Sequence, residues 1–555
     1  MSHKSPAELK QAAEETLADL QSRETLKTKD RLAIPQQEMP AQLPEVRGRN
    51  MFEVTYGYFE AQAQVEAARC LQCRNAPCIK GCPVQIDIPR FIGHVAEGDY
   101  AASLAVIKEA SLLPSICGRV CPQENQCQEY CTVGKSLKDK FKSVSIGRIE
   151  RFVADWDAGM RGLADVDAET PPPPSARVGD AVAADAGAGA PVDGPGAAPA
   201  PKTDGKRTIP EVKPATGKKV AVIGSGPASI TVAADVRREG HDVTIFEAFH
   251  KPGGVMVYGI PEFRLPKRIV ESELHTLEEM GVEIKTNFLV GQTRKLVDLI
   301  EKDGYDAVFI GTGAGLPRFM HIEGENLVGV FSANEFLTRS NLMKAYDQSH
   351  AETPIFIPKR VAVFGGGNVA MDAARTAIRI GAEKVYVVYR RSRTEMPARA
   401  EEVDHAEEEG VEFLLLKNAT RIFGDENDHV TGIEILNYEL GEPDDSGRRR
   451  PVPIEGSEST LDVDTVIVSI GNDSNPLITR TTPQLEANKW GNIITNEFGK
   501  TSMDKVYAGG DIVLGAATVI LAMGEGRTAA ASINRMLAGE PDPEPATDAA
   551  DTATT

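Results

Sequence analysis

All eight cysteines of this 555-residue chain lie between Cys70 and Cys131. Cys70, Cys73, Cys78 and Cys82 follow the spacing C-x2-C-x4-C-x3-C-P, and Cys117, Cys121, Cys127 and Cys131 follow as C-x3-C-P-x4-C-x3-C. Soft thiolates on turns that wrap a cube are what iron–sulfur chemistry requires, and a proline after a ligand stops the helix there. Eight thiolates suffice for two 4Fe-4S clusters. In bacterial ferredoxins the fourth cysteine of such a run ligates the other cluster, so Cys82 is expected to cross over. Structural zinc stays open as an alternative, although its knuckles are normally paired C-x2-C units and only one such unit exists here. A disulfide framework for a large secreted protein would not crowd every cysteine into one segment.

Two glycine-rich turns carry the next chemistry. Gly224-Ser225-Gly226-Pro227-Ala228-Ser229 follows the apolar run VAVI and precedes a helical pattern, which lets a pyrophosphate approach a helix N-terminus. Glu247 ends the following strand pattern, where a carboxylate can accept ribose hydroxyls. Ser229 departs from the preferred Gly or Ala at its position and is expected to loosen helix–strand packing. Gly510 and Asp511 in YAGGD, followed by Thr518 and Val519 at a helix entry, suit the ribityl chain and ring of FAD. The second turn is Gly365-Gly366-Gly367-Asn368-Val369-Ala370, after RVAVF. Its next strand ends in Arg390, Arg391, Ser392 and Arg393 with no acidic residue at the ribose position, which predicts NADP(H) over NAD. No side-chain acid–base catalyst is demanded, because the cofactors carry the chemistry.

Positioning these groups takes several folding units, which the chain length permits. From Lys219 to Leu537, apolar runs such as KVAVIG, HDVTIFEA, RVAVFGGG, KVYVVYRR and DTVIVSIG alternate with helical patterns, implying parallel sheets covered by helices. The predicted fold class is α/β, with an FAD-binding Rossmann-like domain, an NADP-binding one inserted into it, and a preceding α-helical domain for the clusters. The expected boundaries are an N-terminal extension at 1–45, iron–sulfur domain 46–160, linker 161–217, FAD domain 218–330, NADP domain 331–474, FAD domain again at 475–540, and a tail at 541–555. The linker and tail are dominated by Ala, Pro, Gly and Asp and are expected to be disordered. A net charge of −20 without an aromatic–basic stripe disfavours nucleic acid. No apolar run is long enough to span a membrane, and the N-terminus does not read as a secretory signal, so a cytoplasmic location is expected.

Together, CLQCRNAPCIKGCP, CGRVCPQENQC, IGSGPAS, PGGVMVYGIPEFRLPK, FGGGNVAMDAART, YRRSRTEMPA and YAGGDIVLGAATVILAMGEGRTAA resemble the NADPH-dependent flavoproteins typified by the glutamate synthase small subunit. The N-terminal part of dihydropyrimidine dehydrogenase is a more distant cousin. YGIPEFRLPK and the segment FSANEFLTRSNLMKAYDQSHAETPI look like the large (alpha) subunit of NADH-dependent ferredoxin:NADP oxidoreductase and of sulfide dehydrogenase. The resemblance implies that one cluster takes Cys70, Cys73, Cys78 and Cys131. It implies that the other takes Cys82, Cys121, Cys127 and the carboxylate of Glu150, leaving Cys117 free; an all-cysteine second cluster using Cys117 and a ligand role for Glu124 both stay open. Gly254 in PGGVMVYG joins the flavin residues on the same ground. The implied activity is electron transfer between NADP(H), FAD and the clusters, to or from a second redox or synthase subunit or a ferredoxin. The alternatives are the glutamate synthase small subunit itself and a redox-sensing nucleotide-binding protein. With no cysteine outside the cluster region, the chain is not expected to make glutamate from glutamine alone.

Overall fold

The computed structural model describes residues 4–159, 209–347, 351, 353, 355–444 and 447–544. Most of the expected linker and tail lies outside the described residues. The chain divides into two compact units, the first built from described residues of Met1–Thr208, Val255–Ser272 and Pro317–Asn472, the second from Ile209–Gly254, Glu273–Leu316 and Asp473–Thr555.

In the first unit, short helices around the cysteines form because each has a stop and a start. Asp87 accepts a hydrogen bond from the Arg90 amide at 3.3 Å and begins Ile88–Glu97, which Gly98 ends in the left-handed conformation. Asp99 then caps Tyr100–Ala110 through the Ala102 amide. Ile88, Phe91, Ile92 and Val95 recur at helical spacing and are buried. The helix Ile146–Asp157 packs with Pro114–Val120 and carries Glu150 inward, 7% exposed.

The same unit holds a five-stranded parallel sheet in the order Val330–Ser332, Thr465–Val468, Arg360–Phe364, Lys384–Tyr389, Glu412–Leu415. Its strands bury Val361, Val363, Val385 and Val387 completely, as a sheet covered on both faces requires. An antiparallel sheet of Lys417–Gly424, Val430–Pro443, Arg449–Pro453 and Ser459–Leu461 adjoins it, an element the all-parallel expectation did not contain. The segment Val255–Ser272 is held in this unit by Arg264, whose Nη1 donates to both oxygens of Asp372 at 2.7 and 2.8 Å. Phe263 lies beside the Arg375 and Arg379 guanidiniums, at 4.8 and 3.8 Å from its ring centre.

The second unit is one parallel sheet in the order Val506–Ala508, Ala307–Ile310, Lys219–Ile223, Asp242–Phe246, Glu283–Lys285. The helices Pro227–Arg238 and Val519–Ala538 pack on each other, and a side chain at Gly526 would meet the Ala228 carbonyl at 2.5 Å. In both parallel sheets the strand that leads into the glycine turn, Arg360–Phe364 in one and Lys219–Ile223 in the other, lies centrally, and the turn leaves its C-terminal end, which is the ligand-binding edge of such folds. No single helix among the described residues is long and apolar enough to cross a membrane; only the pair Tyr100–Ala110 and Pro114–Val120 has the composition, and it bends by 84°.

Candidate cofactor sites

The cysteines separate into two neighbourhoods. None of the eight is joined in a disulfide. Burial, together with the nearby thiols of Cys131, Cys70 and Cys73, pushes Cys78 up to about 12. Burial and the neighbours Cys131 and Cys73 push Cys70 up to about 11. These four form one set. In the other, burial raises Cys82 to about 11 with Glu150 and Cys117 adding to the effect. A hydrogen bond with Cys117, then burial, raises Cys121, whose further neighbours are Glu150 and Cys127. Burial raises Cys127, helped by Cys82, Glu150 and, from the first set, Cys78, so the two neighbourhoods adjoin.

Such crowding is informative, because thiols this close cannot ionise together unless a cationic core neutralises them. Glu150 gives an independent sign: burial lifts its carboxyl to about 8, and its Oε1 is buried with no hydrogen-bond partner. A buried orphan carboxylate costs several kcal/mol by general estimates (about 1–3, more when charged) unless a ligand satisfies it. Among the described residues no group of three or more His, Cys, Asp or Glu is gathered closely enough to hold a single metal ion. The donor set fits iron–sulfur clusters, whose ligands are spread over separate iron atoms. Glu124 is otherwise engaged, accepting from the Ala400 amide at 3.2 Å and lying 3.7 Å from Arg399. Cys117 stays in the second neighbourhood, 3.9 Å from the Ser111 hydroxyl.

In the second unit the first glycine turn is built for close approach. Gly224 has φ +92°, and a side chain there would strike the Gly311 carbonyl at 2.6 Å. Nothing lies within 4 Å of a side chain placed on Gly226, which caps the twelve-residue helix Pro227–Arg238. That open space before a helix N-terminus suits a pyrophosphate. Ser225 bonds the Glu247 carboxylate and accepts from the Gly253 amide at 2.8 Å, while Phe249 donates to the other Glu247 oxygen at 2.8 Å. Gly254 packs against Gly226, and Gly510 against Ala228.

Ser229 does not loosen the helix. It is fully buried, and Gly311 opposite it leaves the room, for a side chain there would lie 2.2 Å from the Ser229 hydroxyl. Asp511 begins the short helix Asp511–Leu514, its carboxyl raised to about 6 by burial; Thr518 caps Val519–Ala538 through the Leu521 amide at 3.3 Å. Sequence reasoning passed over Thr312, whose buried Oγ1 has no partner and whose Cα lies beside the turn, 3.4 Å from a side chain placed on Gly224. The signal was the GTG that ends the strand AVFI.

The second turn repeats the pattern in the first unit. Gly365 has φ +141°, with the Ser469 carbonyl 2.2 Å from any side chain it would carry. Gly367 caps Asn368–Arg379, Asn368 Oδ1 accepts from the Arg399 amide at 2.9 Å, and Val369 is 38% exposed. The three arginines part company here. Arg391 is buried, pairing with Asp444 at 2.6 Å and donating from Nε to the Arg449 carbonyl at 2.8 Å. Arg393 pairs with Asp404 and Glu407. Arg390 is exposed, and no carboxylate among the described residues pairs with it.

Comparison with known proteins agrees with this geometry. Residues 47–161 match the dihydropyrimidine dehydrogenase domain II, 4Fe-4S cluster family, and residues 218–529 match the pyridine nucleotide-disulphide oxidoreductase family. The glutamate synthase [NADPH] small chain of Azospirillum brasilense is 34% identical, covering 90% of this chain and 94% of its own; that of Escherichia coli is 33% identical over 89% and 95%. The NADP(+)-dependent formate dehydrogenase subunit beta of Moorella thermoacetica is 39% identical over 83% of this chain, which spans only 60% of that longer protein. A solved structure of a mutant FprA from Mycobacterium tuberculosis shares the fold, with TM-score 0.50 at 21% identity over 58% of this chain and 85% of its own. With its nucleotide folds and cluster segment matched at these levels, the chain belongs to the glutamate synthase small-subunit-like family and is an NADPH-dependent oxidoreductase that joins an FAD- and NADP(H)-binding domain to a 4Fe-4S domain.

Proposed function

We propose that the chain holds one FAD at the first glycine turn, NADP(H) at the second and two 4Fe-4S clusters, and exchanges electrons with a partner subunit or a ferredoxin-type carrier. The single observation that carries this is the division of the cysteines into two neighbourhoods, one completed by the orphan carboxyl of Glu150. A bound flavin would supply both two-electron exchange with NADP(H) and one-electron exchange with the clusters, which the nicotinamide alone cannot.

The chain's own groups bind and orient. Cys70, Cys73, Cys78 and Cys131 would hold one cluster, and Cys82, Cys121, Cys127 and Glu150 the other. The open helix start at Gly226 presents amide N–H groups to the flavin pyrophosphate, and Gly367 presents the equivalent groups to NADP(H). Glu247, oriented by Ser225 and the Phe249 amide, faces the ribose, and Arg390 supplies the free guanidinium for a 2′-phosphate. Cysteines gathered into one segment, and not spread as a disulfide framework would be, suit the reducing cytoplasm, which we take as its location. A partner is supported by the relatives that are named as subunits and by a simple need: hydride exchange between NADPH and flavin requires no cluster, so the clusters serve a second protein.

The test is the anaerobically purified protein: about one FAD, about eight iron and eight acid-labile sulfide, and flavin bleaching on NADPH addition. Stoichiometric zinc without sulfide, or a flavin that NADPH leaves oxidised, would refute the reading.

A further inference from the structure

The antiparallel sheet beside the NADP-binding strands brings a second arginine to the nucleotide site. Arg449 begins the strand Arg449–Pro453, and its Nε and Nη2 each lie 2.7 Å from the same Glu395 oxygen. Glu395 is nearly buried, yet the Arg449 side chain is 48% exposed. The other Glu395 oxygen takes the Ser392 hydroxyl and the Ser392 amide, at 3.2 Å for the amide. The loop that bears this pair stands against the second glycine turn. The Tyr389 hydroxyl donates to the Glu395 carbonyl at 2.9 Å, its ring would lie 2.7 Å from a side chain on Gly366, and the Ala398 amide donates to the Gly366 carbonyl at 3.1 Å.

Arg391 explains why the strand reaches so far. It holds Asp444 by its carboxylate and Arg449 by its carbonyl. The Asp444 amide in turn donates to the Arg448 carbonyl at 2.7 Å. One cation of the YRRSR run is thus spent on placing another from 58 residues away. A guanidinium has five N–H donors. Two of Arg449's nitrogens face Glu395, and its 48% exposure leaves the rest of the fork open to an anion; the same Glu395 holds Ser392, at the end of the second strand where a nucleotide's 2′-phosphate would lie.

We propose that Arg449 is a specificity-determining residue that grips the 2′-phosphate of NADP(H) from the antiparallel sheet, that Glu395 orients it, and that Arg391 acts through it as a positioning residue. This rests on the reading that the second glycine turn takes NADP(H). The test is calorimetric titration of the full-length protein with adenosine 2′,5′-bisphosphate and with 5′-AMP, which differ only in the 2′-phosphate. Arg449→Ser should weaken the bisphosphate about 10- to 100-fold, the size of a lost charged hydrogen bond, and leave 5′-AMP unchanged. Arg449→Lys, which keeps the charge, should recover part of the loss and controls for folding of the sheet. Equal affinity of Arg449→Ser for the bisphosphate, or an equal loss for both ligands, overturns the assignment. Arg390→Ser separates the two readings: if it too leaves the bisphosphate-to-AMP ratio unchanged, the placement of NADP(H) itself fails, whereas loss at Arg390 alone sinks only Arg449.

Discussion

Replacing Glu409 with glutamine should be among the most damaging single changes outside the cofactor sites. Its side chain is fully buried and meets three guanidiniums: Arg47 at 3.0 Å, Arg375 at 2.7 Å and Arg379 at 2.6 Å. Arg47 comes from the segment matched by the cluster family, and the other two from the helix after the second glycine turn, so one carboxylate ties the two together. Removing one partner of a buried pair costs about 3–5 kcal/mol, because the cations left behind stay buried without compensation. At about 2–4 °C per kcal/mol for large domains, the melting midpoint should fall by roughly 10 °C. Glu239→Gln, which breaks an exposed pair with Lys213, should cost under about 1 kcal/mol. Burial alone would raise the Glu409 carboxyl, but Arg375 and Arg379 hold it well below its ordinary 4.5. Its contribution is therefore complete above that range and lost only as pH falls through the depressed folded value. Calorimetry of wild type and both variants from pH 5 to 8 should show a constant gap for Glu409→Gln and almost none for the control. Equal, small shifts for both variants would refute the claim that this lattice holds the unit together.

The remaining predictions concern the sites. Arg390→Ser should weaken NADPH far more than NADH in flavin-bleaching titrations; equal losses would remove Arg390 from the 2′-phosphate. Glu150→Gln should shift the potential or electron paramagnetic resonance signal of one cluster and spare the other, while Cys117→Ala leaves iron content intact; the reverse pattern would show an all-cysteine second cluster. Gly311→Ala should destabilise the second unit and reduce FAD retention, since the new methyl meets the Ser229 hydroxyl and the Phe309 ring, and Ser229→Ala, which relieves the closer of the two contacts, should recover part of the loss; an additive double variant would break the argument.

What could be read from the sequence was what lies within about thirty residues. The cysteine spacings, the glycine turns and the alternation of apolar strands with helices are local patterns, and the two parallel sheets follow from them. Ser229 was misjudged because its fit depends on Gly311, 82 positions later, which no fingerprint includes. The antiparallel strands left a period-2 trace in IEILNYEL, but so short a run does not say which neighbour it pairs with.

The arginines show most clearly where sequence reading stops. In YRRSR, Arg390 and Arg391 are the same residue type in adjacent positions, and composition gives both to a phosphate. A strand sends successive side chains to opposite faces, so at its end one guanidinium stays in solvent while the next turns inward. What waits there is Asp444, 53 residues on, and a buried guanidinium with a carboxylate at 2.6 Å is no longer available to an incoming anion. The run therefore specifies charge at the site, while the tertiary fold decides which cation is free and which serves as a fastening. The same division of labour holds for the carboxylates near the second group of cysteines: Glu124 sits between Cys121 and Cys127 in sequence but is spent on Ala400 and Arg399, whereas Glu150, nineteen residues past the last cysteine, arrives on a buried helix with an oxygen unclaimed. A residue that keeps an unclaimed donor or acceptor within reach of solvent or a cavity is the one left to meet a ligand, and that property belongs to packing and not to spacing.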